Sequence, residues 1–190
     1  MSRTRLPRAV REQQMLDAAV AVFSRRGFHA ASMDEIAEVA GISKPMVYAY
    51  LGTKEELFVM CLHREGTRLM EAIAEAAHLD ARPDEQLRGA LHAFLGFVAD
   101  HRDAWSVLYR QARGQETFTG VLAHMRDRMI DVVAGLLGGT DPDTMLAAHA
   151  LVGACESVAD WLVDNPDADA PTAAGRLMSL LWPGLRRYGT

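Results

Sequence analysis

The stretch Ser32–Leu57, SMDEIAEVAGISKPMVYAYLGTKEEL, decides how the whole chain is read. Ser32-Met33-Asp34-Glu35 has the form of a capping box, in which the Ser32 hydroxyl accepts the Glu35 amide and the Glu35 carboxylate returns to the Ser32 N–H, so a helix is expected to start here. Its apolar residues Ile36, Ala37 and Ala40 share a face, and Gly41 follows where the chain must turn sharply, a position that tolerates positive φ. About one turn later Ser43 stands as an N-cap and Pro45 falls in a first turn, where its missing N–H costs nothing. Gly52 closes this short helix, Lys44 to Leu51. Two short helices joined by a glycine-containing turn are the elements of a helix-turn-helix. Ile36, Ala37 and Ala40 are expected to meet Ile42, Val47 and Leu51. That leaves Lys44, Pro45, Met46, Tyr48, Ala49 and Tyr50 outward, a face unusually aromatic for solvent.

Upstream, Leu16, Ala19, Val20 and Phe23 recur at i, i+3, i+4 and i+7, which predicts a helix from about Pro7 to Arg25 closed by Gly27, with Phe28 tucked back onto its stripe. Downstream, Thr53-Lys-Glu-Glu56 is a second capping box, launching a helix to about Ala77. Further helices are predicted from Pro83 to about His101, Arg102 to Arg113, Phe118 to Leu137, Asp141-Pro142 to about Val163, and about Pro171 to Leu181, with Pro183-Gly184 ending or kinking the last. Alternation with period two is absent. The expected fold is therefore all-α: an N-terminal three-helix helix-turn-helix domain, residues 1–53, and a helical bundle, residues 54–190.

The 190 residues are 49% hydrophobic and 24% charged, which excludes a disordered tail, a collagen-like chain or a disulfide scaffold. Cys61 and Cys155 have no metal-finger spacing and require no oxidising compartment. The N-terminus lacks the apolar run of a secretory signal, and no uncharged run approaches the roughly 20 residues of a membrane span, so a cytoplasmic protein without a membrane partner is expected. Net charge is −5, but the first thirty residues set Arg3, Arg5, Arg8, Arg11, Arg25 and Arg26 against only Glu12 and Asp17. A basic end on an acidic body can still hold a polyanion, because screening beyond about 10 Å mutes the distant carboxylates. A solvated arginine-rich terminus without a partner is the other reading, and Arg3 and Arg5 are either an arm reaching a minor groove or a free end.

Residues 32–57 closely resemble the signature of the TetR family of bacterial transcriptional repressors, down to the Ala-Gly-Ile-Ser turn, Tyr48 and the Lys54-Glu55 start of the next helix. The stretch with Phe23, Gly27 and Phe28 is similar to the family's first helix. The family usually has Phe where Leu51 stands and often His at the Tyr50 position. The resemblance implies that Ser32, Tyr48, Tyr50 and Lys54 contact phosphates while Lys44, Pro45, Met46 and Ala49 face bases. Hydroxyls and an ammonium near helix N-termini suit phosphate oxygens, Lys44 can donate to guanine, and the other three offer apolar contact. It also implies that residues 1–53 are the DNA-binding domain and residues 54–190 the ligand-binding and dimerisation domain of a regulator, expected to be a repressor, that binds a palindromic double-stranded operator as a homodimer and is released by a small effector, which the methionines and aromatics of the body make a mostly apolar one. A helical ligand-binding or interaction module that no longer reads DNA is the alternative.

An enzyme would need parts that are not found. The seven histidines form no His-x-x-x-His pair, and neither a Gly-x-Ser-x-Gly motif nor a phosphate-binding glycine loop occurs. No catalysis, metal or cofactor is expected. Glu156 and Asp160 share a helix face but read as a solvated edge or a dimer contact.

The helix from Asp143 to Val163 is apolar on two faces, Leu146, Ala150, Gly153, Ser157 and Trp161 on one, Ala148, Val152, Cys155, Ala159 and Leu162 on the other. Gly153, Ser157 and Trp161, with Leu177, Leu181 and Trp182 of the last helix, are the candidate dimer contacts; the central helix of a monomeric bundle is the alternative. Met60, His63, Thr67 and Met70 on the long helix, Phe94 and Phe97 on the next, Trp105, Leu108 and Tyr109 after that, and Met125 and Met129 beyond are the candidate ligand pocket. Plain core packing is the competing reading for any one of them.

Overall fold

The computed structural model describes residues 8–77 and 80–185, so Arg3 and Arg5 lie outside the described residues. The regular elements among them are all helical: α1 (Arg8–Ala30), α2 (Met33–Ala40), α3 (Lys44–Leu51), α4 (Lys54–Ala76), α5 (Pro83–Asp100), α6 (Arg102–Ala104), α7 (Glu116–Leu136), α8 (Pro142–Asp164) and α9 (Ala170–Leu185). α6 runs directly into a π-helical stretch, Trp105–Gln111, and a 3-10 turn, Ala112–Gly114. The expected single helix over 102–113 is thus corrected to one whose middle is underwound into a wider π-helical turn, a distortion that no breaker residue announces.

Local chemistry explains the element ends. Gly27 interrupts α1 with φ 74 and ψ 167, a conformation essentially reserved for glycine, after which Phe28–Ala30 adds a last turn. Ser32 accepts the Glu35 amide at 3.1 Å, but the expected return of the Glu35 carboxylate to the Ser32 N–H is not made. That carboxylate instead accepts from Arg25 at 2.9 Å and Arg26 at 3.2 Å, because charge-assisted bonds are stronger than one from a neutral amide. The Arg25 hydrogen bond holds the Glu35 carboxyl below its ordinary value. The Thr53 box is reciprocal: Glu56 N–H donates to Thr53 Oγ1 at 3.2 Å and Thr53 N–H to Glu56 Oε2 at 2.8 Å. Ser43 has the extended backbone of an N-cap without the side-chain bond. Asp141 caps α8 by accepting from the amides of Asp143 and Thr144. Pro183 does not end the last helix; it sits inside the final turn of α9, where it forfeits a single donor.

Two apolar cores result. The first joins α1, α2 and α3 through Leu16, Phe23, Ile36, Val47 and Leu51, and it continues beyond residue 53 into Leu57, Phe58, Cys61 and Leu62 of α4, Val107 and Leu108 of the π-helical stretch, and Phe118 of α7. Phe28 and Phe118 both pack edge-on or tilted against Phe58, at 5.0 and 4.5 Å between ring centres. The second core is the bundle of α5, α8 and α9 with α7 and the far half of α4, where Leu69 and Ile73 lie. α8 is long and apolar enough to cross a membrane by length and composition alone, yet Ala148, Val152, Ala159 and Leu162 are buried in this core.

The two serine/threonine caps differ in a measurable way. Thr53→Ala should lower stability by about 1 kcal/mol in urea unfolding, whereas Ser43→Ala, which removes no cap bond, should leave the midpoint nearly unchanged. Equal losses would show that the Thr53 box does not anchor α4.

Candidate nucleic-acid interface and ligand cavity

Val47 and Leu51 are buried, which fixes α3 on α2 and turns its other face outward. Lys44, Pro45, Tyr48 and Ala49 are exposed there, and Met46 and Tyr50 are half-buried. The Lys44 ammonium reaches across to α2 and pairs with Asp34 at 2.8 Å, and that hydrogen bond raises its pKa. Both partners are solvated, so the pair is weakly held and the ammonium can exchange Asp34 for another acceptor. Arg8 lies over the Tyr50 ring at 5.4 Å. The Ser32 hydroxyl accepts a backbone amide, which leaves its own proton to donate outward. Lys54 is turned toward α1: its ammonium donates to the carbonyls of His29 and Ala31, both at 3.2 Å, and sits 4.7 Å above the Phe28 ring. It therefore ties the start of α4 to the end of α1, an arrangement that the sequence did not reveal because the partners are carbonyls.

A cavity of about 640 Å³ opens between α4, α5, the π-helical stretch, α7 and α8. His63, Thr67, Met70, Phe94, Trp105, Tyr109, Met125 and Met129 line it, as expected from the sequence. Three candidates do not. Met60 lies one turn nearer the head, packed on the first core. Phe97 lies beyond the cavity, stacked on His101 at 4.3 Å. Leu108 is fully buried against the first core, on the opposite side of the π-helical stretch from Trp105 and Tyr109. Lining residues that the sequence did not assign to the cavity include Gly66, Ile73, Leu91 and Leu151; of these Gly66, an isolated glycine inside a long helix, carried a sequence signal.

The polar groups around the cavity are mostly engaged. Trp105 Nε1 donates to Asp160 at 3.0 Å, and Arg113 pairs with the same carboxylate at 3.1 Å. Arg126 pairs with Glu156 at 3.3 Å. Glu156 and Asp160 are therefore cavity-side partners of arginines and not a free acidic edge. Cys155 lines the cavity, and burial pushes its thiol up to about 12, so it is a neutral apolar wall. The Tyr109 hydroxyl is buried and has no hydrogen-bond partner, a condition that costs about 1–3 kcal/mol when nothing relieves it.

The two faces of α8 separate: Ala148, Val152 and Leu162 go inward, while Leu146 and Trp161 are 70% and 50% exposed. Ser157 is exposed beside them, and Gly153, Leu181 and Trp182 are half-buried. Leu177 departs from expectation. It turns into the second core because α9 lies along α5, and Leu180, 78% exposed, holds the outer position instead.

The pattern of bacterial regulatory proteins of the tetR family matches residues 15–61, and that of the tetracyclin-repressor-like C-terminal domain matches residues 83–184. A TetR-like transcriptional regulator from Rhodococcus sp. RHA1, of known crystal structure, is 56% identical with a TM-score of 0.79, covering 96% of this chain and 99% of that one. The HTH-type transcriptional activator FasR of Mycolicibacterium smegmatis is 29% identical over 187 residues, 95% of this chain and 85% of the relative. The transcriptional regulator FadR from Bacillus subtilis, crystallised with stearoyl-CoA, has the same fold at 20% identity and a TM-score of 0.79, covering 89% of this chain and 96% of that one.

The two lysines of the head differ in what they hold. Lys54→Ala should lower urea stability by about 1–2 kcal/mol, since two carbonyls and an aromatic face lose their cation. Lys44→Ala should leave stability as it is. The reverse order in matched unfolding curves would overturn this assignment.

Proposed function

Since the chain belongs to the TetR family of DNA-binding transcriptional regulators, we propose that it is a repressor that binds a palindromic operator as a homodimer and leaves it when a small, mostly apolar effector enters the α4 cavity. The observation that carries this reading is the course of α4. Its first turn is fastened by Lys54 to the head, and its middle turns, at His63, Gly66 and Thr67, form the cavity wall. Between them Arg64 donates to Asp17 at 2.8 Å and to the Gln13 carbonyl at 3.4 Å, both on α1. A ligand that displaces the cavity wall thus acts on a helix held to the head at two points. It can do so only through a difference in affinity between two arrangements, so operator must weaken effector binding by the factor that effector weakens operator binding.

On the operator, Lys44, Pro45, Met46 and Ala49 face base edges in the major groove, and Ser32, Tyr48 and Tyr50 lie at the phosphates, as does Lys54 through the one N–H that the His29 and Ala31 carbonyls leave it. Both the basic Arg25 and Arg26 and the α2 N-terminus support that side as the DNA face, although Asp34 and Glu35 temper it. The exposed Leu146, Ser157, Trp161 and Leu180, with the half-buried Gly153, Leu181 and Trp182 beside them, are the two-fold contact that spaces the heads. The FadR complex supports an apolar effector at the level of the shared fold.

Binding to the promoter beside its own gene, measured against random DNA over a salt series, tests the DNA reading. Lys44→Ala should weaken operator binding about tenfold to a hundredfold and random binding little; Lys54→Ala should weaken both and lower the salt slope by about one unit. Equal losses for the two variants on both DNAs would reverse the base and phosphate assignments. A reporter that rises when the gene is deleted agrees with repression, and one that falls assigns activation. Sedimentation should give a dimer at micromolar concentration and a monomer for Gly153→Glu or Leu180→Glu; a monomeric wild type rules out the α8–α9 contact.

A further inference from the structure

Tyr109 differs from every other polar side chain around the cavity in having a buried hydroxyl and nothing to bond. Its position is tightly defined. The ring stacks on Trp105 at 4.7 Å, and Trp105 is itself held by Asp160. On the α4 side, a Cβ at Gly66 would come within 3.3 Å of the hydroxyl oxygen and closer still to the flexible end of Met125. The bare backbone of Gly66 therefore gives room to the phenol and to the Met125 end beside it, and that flexible end is the group a ligand would displace to reach the hydroxyl.

Among the described residues nothing accepts from it. Glu65, whose charge reaches the phenol, is 1% exposed and accepts instead from Arg64 through Nε at 3.0 Å and Nη2 at 2.8 Å, and from Arg68 at 3.1 Å. The Thr67 hydroxyl donates to the His63 carbonyl at 2.9 Å. The phenol stays protonated, since burial first and the Glu65 charge second push its pKa above the ordinary range. It is thus a neutral donor, oriented before any ligand arrives, which reduces the ordering cost of binding.

The surroundings also select the charge of what it meets. A carboxylate placed at this hydroxyl would lose its water next to the buried Glu65, whose two guanidiniums, on Arg64 and Arg68, are already paired. The cations it would need are committed, Arg126 to Glu156 and Arg113 to Asp160, and Arg128 lies at the exposed rim. Ile73, Leu87, Leu91, Phe94 and Leu151 make a stretch of wall that offers no hydrogen-bonding group to the rest of a ligand. A volume of about 640 Å³ falls within the range of small-molecule sites.

We propose that the cavity takes an apolar-chain ligand whose polar group at the Tyr109 hydroxyl, beside Gly66, is an uncharged carbonyl oxygen, as in an ester, thioester or ketone, in preference to a free carboxylate. This rests on the effector reading above. Removing the hydroxyl loses the donor and little else, so Tyr109→Phe retains the fold.

Calorimetry on the full-length protein with methyl decanoate and with sodium decanoate at pH 7.5 tests the assignment. The wild type should prefer the ester, and Tyr109→Phe should lower ester affinity by about three- to tenfold while leaving decanoate within about twofold. The quantity that decides is the change in the ester-to-acid ratio, because the greater apolarity of the ester is common to both proteins. Gly66→Ala, which narrows the space beside the hydroxyl, should shift the ratio in the same direction and stands in if Tyr109→Phe fails to fold. If both probes bind and neither variant alters the ratio, the carbonyl assignment is wrong while the effector reading survives. If neither probe binds the wild type, the effector reading falls and the assignment falls with it.

Discussion

The packing of Phe58 between Phe28 and Phe118 is the constraint on which the remaining structure depends. These three rings come from the end of α1, the first turns of α4 and the first turn of α7. Large aromatic faces at 4.5–5.0 Å combine the greatest apolar burial per residue with a preferred edge-on geometry, so they fix angle as well as distance. The helix-turn-helix head is consequently not a bead on a linker. It shares its core with the body, and a displacement of α4 or α7 must be felt by α1.

Around that aromatic centre the charges act as fasteners. Lys54 caps the carbonyls that follow the Gly27 break, Arg64 joins α4 to Asp17 and Gln13, and Glu35 gathers Arg25 and Arg26. Glu65 is the costly member, since a carboxylate removed from water needs compensation. Two guanidiniums supply it. One of these, on Arg64, is the same group that grips α1, so the cavity wall and the fastening to the head meet within two residues of α4. The cavity itself exists because α7 and the π-helical stretch meet α4 at a glycine. A side chain at Gly66 would fill the space that Met125 and Tyr109 now share.

How much of this was legible in the sequence varied with the kind of interaction. Helix ends written by caps and breakers were readable: the Thr53 box, Asp141-Pro142, Gly41 and Gly52 all act within a few residues of themselves. The Ser32 box was half legible, since the Ser32 hydroxyl is a local partner but the arginines that take Glu35 lie on another helix. Most of the cavity was legible because helical periodicity places His63, Thr67 and Met70 on one side. Met60, Phe97 and Leu108 obey the same periodicity yet miss the cavity, because where a cavity ends depends on which neighbouring helix comes to fill the next turn. Leu177 and Leu180 differ for a similar reason: α9 carries apolar residues nearly all round, and only its docking on α5 chooses the face.

The sequence by itself determined the all-helical class, the helix-turn-helix, its outward residues and the basic character of the head, because these follow from short-range caps, glycine conformations and a 3.6-residue period. The tertiary structure decided what no local rule reaches: the shared core that runs past residue 53, the π-helical widening at Trp105–Gln111, the inward turn of Lys54, and the unpartnered hydroxyl of Tyr109. Each depends on groups far apart in the chain arriving at one place. Burial, charge pairing and empty space are properties of that arrangement and not of any single segment.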